Sequence, residues 1–147
     1  MHPMADVILA RDPALFLHIL LGVALIPLSI VILLYLMKKV SWLKPLAIAT
    51  AAVSWLQILP AGILYLNFYP ATKTLIKAGS WVWAHDIIME TKEHWGLLLP
   101  VITTVAAALV VTNQPDKSRK WWILLIILTI AIGIMGRIVK IGAGMQA

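Results

Sequence analysis

Four long apolar stretches constrain this chain more than any other feature. Ala14 to Met37, Pro45 to Leu66 and Trp95 to Thr112 carry no charge, and Trp121 to Ile141 carries only Arg137 and Lys140. A helix rising 1.5 Å per residue needs about 20 residues to cross a hydrocarbon core about 30 Å thick. Backbone N–H and C=O groups in lipid must be satisfied within the segment, which makes these stretches helices. The alternating pattern of a membrane β-barrel strand is absent from all four. Composition agrees: the chain is 62% hydrophobic and 12% charged, where soluble domains are roughly half apolar and about a quarter charged. This excludes an ordinary soluble domain, a disordered tail and a nucleic-acid binder, despite a net charge of +6. With no cysteine, disulfides, thiolate metal sites, c-type haem attachment and cysteine nucleophiles are excluded as well.

The expected fold is an all-α integral membrane protein of one domain, residues 1–147. It is an up-down bundle of four transmembrane helices, about 14–37, 45–66, 81–112 and 121–141. Asp12-Pro13 reads as the N-cap and first turn of the first span, and Pro45 opens the second. Pro70 is expected to end the second span, and Pro27, Pro60 and Pro100 to kink the helices that contain them. Pro70 to Ala78 reads as a short helix stopped by Gly79, with Ser80 capping a helix that runs into the third span. A cleaved signal peptide is not expected, because the first apolar run is too long and its flank holds one base against two acids.

The bases set the expected orientation. Lys38, Lys39 and Lys44 stand in one short loop, and Lys117, Arg119 and Lys120 in another, where Asp116 is the sole acid. On the other side six bases are diluted by Asp6, Asp12, Asp86, Glu90 and Glu93. Loops 38–44 and 113–120 are therefore expected in the cytoplasm of a multi-pass cell-membrane protein, with both termini and a short helical connection outside. Trp42, Trp121 and Trp122 would mark the inner interface, and Trp81, Trp83 and Trp95 the outer one.

Ionisable residues inside a span are functional candidates by default. His18 lies about 20 residues before Lys38, and His94 about 19 before Asn113. Antiparallel threading then puts both imidazoles at one depth, about 28–30 Å from the basic face. Two level imidazoles in a helical bundle can supply both axial ligands of a haem b iron. Gly22, one turn from His18, would leave room for a flat macrocycle. Arg137 and Lys140 stand near the same depth as partners for propionates, and Glu90 would orient the His94 ring. At class level this resembles a small four-helix membrane b-type cytochrome. Such a chain would pass electrons to or from a quinol or an outer redox partner as a subunit of a larger membrane complex.

Two rival readings belong to other classes. Asp86, Glu90 and His94 are spaced i, i+4, i+8, so on a regular helix they would share a face with ligands suited to zinc, copper or non-haem iron. His18, His85 or even His2 would be the natural additions to such a site. The plainer reading makes each histidine an interfacial side chain with a water or carbonyl partner, and the protein a cofactor-free accessory or anchor subunit. His85, between Trp83 and Asp86, reads as interfacial, and Met89 as packing in preference to a thioether ligand. Gly22, Gly62, Gly133 and Gly136 read as small residues that let helices approach. No nucleophile-base set or phosphate-binding loop is present, so hydrolysis and phosphoryl transfer find no support.

Overall fold

The computed structural model describes residues 3–38 and 40–144, with side chains from Arg11 onward. The expectations placed on His2, on Lys39 and on the side chain of Asp6 lie outside the described residues. The described residues are helical throughout except for short connections, and four rods are long and apolar enough to cross a membrane: Arg11–Tyr35, Leu43–Ala78, Ala84–Val111 and Pro115–Gly144. The first rod belongs to α1 (Pro3–Tyr35). The second is a composite of α2 (Leu43–Leu56), α3 (Ile58–Ile63), a π-helical segment (Leu64–Phe68) and α4 (Tyr69–Ala78). The third joins a π-helical segment (Ala84–Met89) to α5 (Glu90–Val111), and the fourth is α6 (Pro115–Gly144). Each rod packs on its two neighbours in a closed ring, α1 on α2, α2 on α5, α5 on α6 and α6 on α1, which leaves α1 and α5 on a diagonal.

Prolines act here less as stops than the residue alone suggests. α1 starts at Pro3 and runs through Pro13 and Pro27, so Asp12-Pro13 does not open the helix, and α5 runs through Pro100 without interruption. Pro60 does mark a break: it has no N–H for the Leu56 carbonyl, and Gln57 sits between α2 and α3. Pro70 does not end the second rod. The Tyr69 N–H reaches back five residues to the Leu64 carbonyl, and this wider turn makes room for the ring where a tight α-turn would clash. The rod therefore continues to Ala78, and the connection to the third rod shrinks to residues 79–83. Ser80 lies in that connection, and the third rod starts a few residues later than its cap would place it.

The other connections are equally short. α5 closes at Thr112 with Asn113 in the left-handed region, φ 58°. Asn113 N–H bonds to Val110 O at 3.1 Å and Gln114 N–H to Leu109 O at 2.7 Å, the paired pattern of a Schellman stop, in which asparagine tolerates the positive φ. Pro115 then opens α6, six residues earlier than Trp121 suggests, where its missing N–H is no loss. Ser118 is fully buried and its hydroxyl donates to Ala106 O at 2.8 Å, tying this extra turn to α5. Ser118→Ala removes this second bond to a carbonyl that the α5 helix already pairs, and is expected to cost about 1 kcal/mol, read as a modest fall in the unfolding midpoint in detergent.

Two apolar clusters hold the bundle. The larger gathers Leu25, Ile32, Leu36, Ala47, Ile102, Ala106, Trp122 and Leu125 toward the end with the basic connections. Trp122 is fully enclosed there and is a core residue, not an interface marker, because one residue along a helix turns the side chain about 100° away from exposed neighbours. Trp42 and Trp83 do stand exposed. The smaller cluster, Tyr69, Ile76, Ala84, Met89 and Val139, sits toward the other end. Gly142 makes it possible: a Cβ at that position would fall 2.8 Å from the Ala84 Cβ, so α6 approaches the third rod there only without a side chain.

Candidate functional site

A cavity of about 340 Å³ opens in the bundle between the two clusters, within the size range of small-molecule and cofactor pockets. Its wall is mostly apolar, and its polar groups are few: His18, Gln57, Tyr65, Lys92, Glu93 and His94. His18 comes from α1 and His94 from α5, the diagonal pair of the ring, so two imidazoles from rods that do not pack on each other line one space. Both π-helical segments border it too, through Tyr65 on one and Met89 on the other. Such wide turns recur at functional sites because they re-aim side chains that a regular helix would turn away.

The two imidazoles are held differently. His94 Nδ1 lies 2.6 Å from the Glu90 backbone oxygen. A carbonyl only accepts, so Nδ1 carries the hydrogen and Nε2 keeps a free lone pair. It is thus the backbone of Glu90, not its carboxylate, that sets the His94 ring. His18 Nδ1 faces the Gln57 amide nitrogen at 3.4 Å. Gln57 sits at the break before Pro60, which aims its side chain across to α1, and its Oε1 is buried without a partner.

Glycines shape the wall. Gly62 and Gly96 both line the cavity, and a Cβ at either would meet nothing within 4 Å. Gly22 does not serve this purpose: a Cβ there would fall 2.9 Å from Gln57 Nε2, so Gly22 clears space for the glutamine that holds His18. The cation at the cavity is Lys92, partly buried and without an ion-pair partner among the described residues. Its chain runs against Gly136 of α6, whose added Cβ would lie 3.3 Å from Lys92 Cε. Arg137 and Lys140 are both exposed and neither lines the cavity. Counting residues fixes depth along a rod but not the direction around it, and these two point outward.

The Asp86, Glu90 and His94 stripe does not form. Asp86 lies in the π-helical segment, where the wider turn breaks the i, i+4 alignment that a regular helix would give. Its Oδ1 stands 4.0 Å from Lys77 Nζ and 4.0 Å from His85 Nε2. Among the described residues no three His, Cys, Asp or Glu side chains gather as a metal-ligand group. His85 is buried, with Tyr69 Oη 2.7 Å from its Nδ1.

Gln57, Gly62, Lys92, Glu93 and Gly96 escape a reading of the sequence. A partial signal exists: Gly96 lies four residues before Pro100, which cannot donate to its carbonyl, and Lys92-Glu93 is a charged pair entering an apolar run. Comparison with protein-family models, with curated protein sequences and with solved structures finds no match to this chain.

Proposed function

We propose that the cavity holds one b-type haem between Nε2 of His18 and Nε2 of His94, and that the protein is a membrane electron-transfer subunit. The observation that carries this reading is the meeting of two imidazoles from diagonal rods at one cavity. The His94 tautomer supports it, since the nitrogen left free is the one an iron would need. Gln57 supplies the matching arrangement for His18: with its amide turned over, the orphaned Oε1 accepts from Nδ1–H and frees Nε2. Gly62 and Gly96 leave room for a flat ring, and Lys92 is the cation for a propionate, in place of Arg137 and Lys140. Haem with two histidine ligands supplies one-electron transfer and leaves no open coordination position for substrate chemistry.

The bases at residues 38–44 and 113–120 favour a cytoplasmic side for those connections, which puts the cavity toward the outer face of the cell membrane. Quinol in the bilayer or an outer redox protein is then the natural electron partner, within a larger complex. The test is a reduced-minus-oxidised visible spectrum with haem and iron assay on the purified protein, expected at about one haem per chain. A colourless, iron-free protein would leave the accessory-subunit reading in its place. A Cβ at Gly96 meets nothing within 4 Å, so Gly96→Leu is expected to extend into the cavity and lower haem content severalfold while helical circular dichroism is unchanged and thermal stability stays within about 0.5 kcal/mol of the parent.

A further inference from the structure

Beside the cavity lies a second buried polar group that the haem reading does not use. His85 is 3% exposed, and Tyr69 Oη stands 2.7 Å from its Nδ1. One phenol satisfies a neutral imidazole, yet two carboxylates also face it: Glu90 Oε1 at 3.9 Å from Nδ1 and Asp86 Oδ1 at 4.0 Å from Nε2. Lys73 and Lys77 face it from α4, and Lys77 Nζ stands 4.0 Å from Asp86. From α6 come Val139, with Ile138 and Ala143 beside it. Burial and the two ammonium groups oppose a protonated ring and the carboxylates favour one, so its protonation responds to a change of charge nearby. Asp86 is half exposed, so the ring has a route to water. On its inner side the group adjoins the cavity: Tyr65 lines it and stacks on Tyr69 at 5.5 Å, while Met89 lines it and packs against the same cluster.

We infer that His85, between Tyr69 and Asp86, is a proton-exchange site coupled to the electron carried in the cavity. One electron arriving from a donor of the quinol class lowers the charge of the cavity by one. One proton taken up at His85 from the outer water through Asp86 restores it, and reoxidation returns that proton by the same route. The inference rests on the haem reading.

The test is the haem midpoint potential of the purified protein between pH 5 and 8. The parent potential is expected to fall with pH over part of that range, with a slope approaching 59 mV per unit for one proton and one electron. His85→Gln keeps a partner for the Tyr69 hydroxyl but does not titrate, and its potential should be independent of pH. Asp86→Asn, at an exposed position, should move the sloping range toward lower pH. A flat parent profile, an unchanged slope in His85→Gln, or an unmoved range in Asp86→Asn overturns the inference while leaving the haem in place. Should His85→Gln fail to fold, Asp86→Asn decides alone. Absence of haem from the parent overturns both.

Discussion

His94→Ala protein is expected to purify as a folded bundle that has lost the low-spin, two-histidine haem spectrum. The His94 side chain bonds only to a backbone oxygen of its own helix, at 2.6 Å, and is exposed on the cavity wall. Its removal therefore leaves no other side chain unpaired, and stability should change by no more than about 0.5 kcal/mol. His18→Ala should lose the same spectrum, although Gln57 then loses the imidazole that faces it and a further cost of about 1 kcal/mol is expected. His85→Gln, by contrast, should keep the spectrum, because its ring belongs to the neighbouring cluster. Retention of two-histidine ligation in either the His18 or the His94 variant would rule out the assignment.

Trp122→Ala should be the most damaging single change to the fold, costing about 3–5 kcal/mol as truncation of a large enclosed side chain does. Trp122 is fully buried among the larger apolar cluster, where α6 meets the other rods. Inside a membrane, helices associate through close packing and not through exclusion of water, so lost contacts there have few substitutes. Trp122→Phe should be much milder. The indole Nε1 is buried without a partner, so removing it relieves a desolvated donor and offsets part of the lost volume. Thermal unfolding in detergent, followed by circular dichroism, separates the two variants: a large fall for alanine and a small one for phenylalanine.

The four long rods were legible because a nearly charge-free stretch long enough to cross lipid permits only one backbone solution there. What escaped lay at their ends. Pro70 looked like a terminus, since a proline removes one hydrogen bond and crowds the preceding turn, but the Leu64–Phe68 segment widens that turn and lets the rod continue. Residues 115–120 looked like a basic loop, whereas Ser118 is buried and bonded to α5. A short charged segment carries no periodic signal strong enough to reveal such packing.

The site divides along the same line. A residue count along the rods was readable, and the His18 and His94 it pairs do line one cavity. Direction around the rod was not. Arg137 and Lys140 lie at a plausible height on exposed faces, while Lys92, two residues from His94, reaches the cavity along Gly136. Gly22 in the sequence suggests room for a ligand, and the space it clears is filled by Gln57. Glycine alone announces room without saying who uses it. His85 reads as interfacial because Trp83 and Asp86 flank it, and both are exposed, but Ala84 and His85 between them are buried at the wide turn.

That turn at Ala84–Met89 has a consequence for how one rod serves two polar groups. A regular helix advances about 100° per residue, so positions nine apart, such as 85 and 94, would point to opposite sides. The wide hydrogen-bonded turns of the segment, Glu90 N–H to His85 O among them, take up the equivalent of one residue and bring the two azimuths to within about 80°. The segment thus works as a phase shifter. Deleting one residue from it would rewind the rod into a uniform spiral and swing His85 out of the bundle, while the imidazole downstream kept its place.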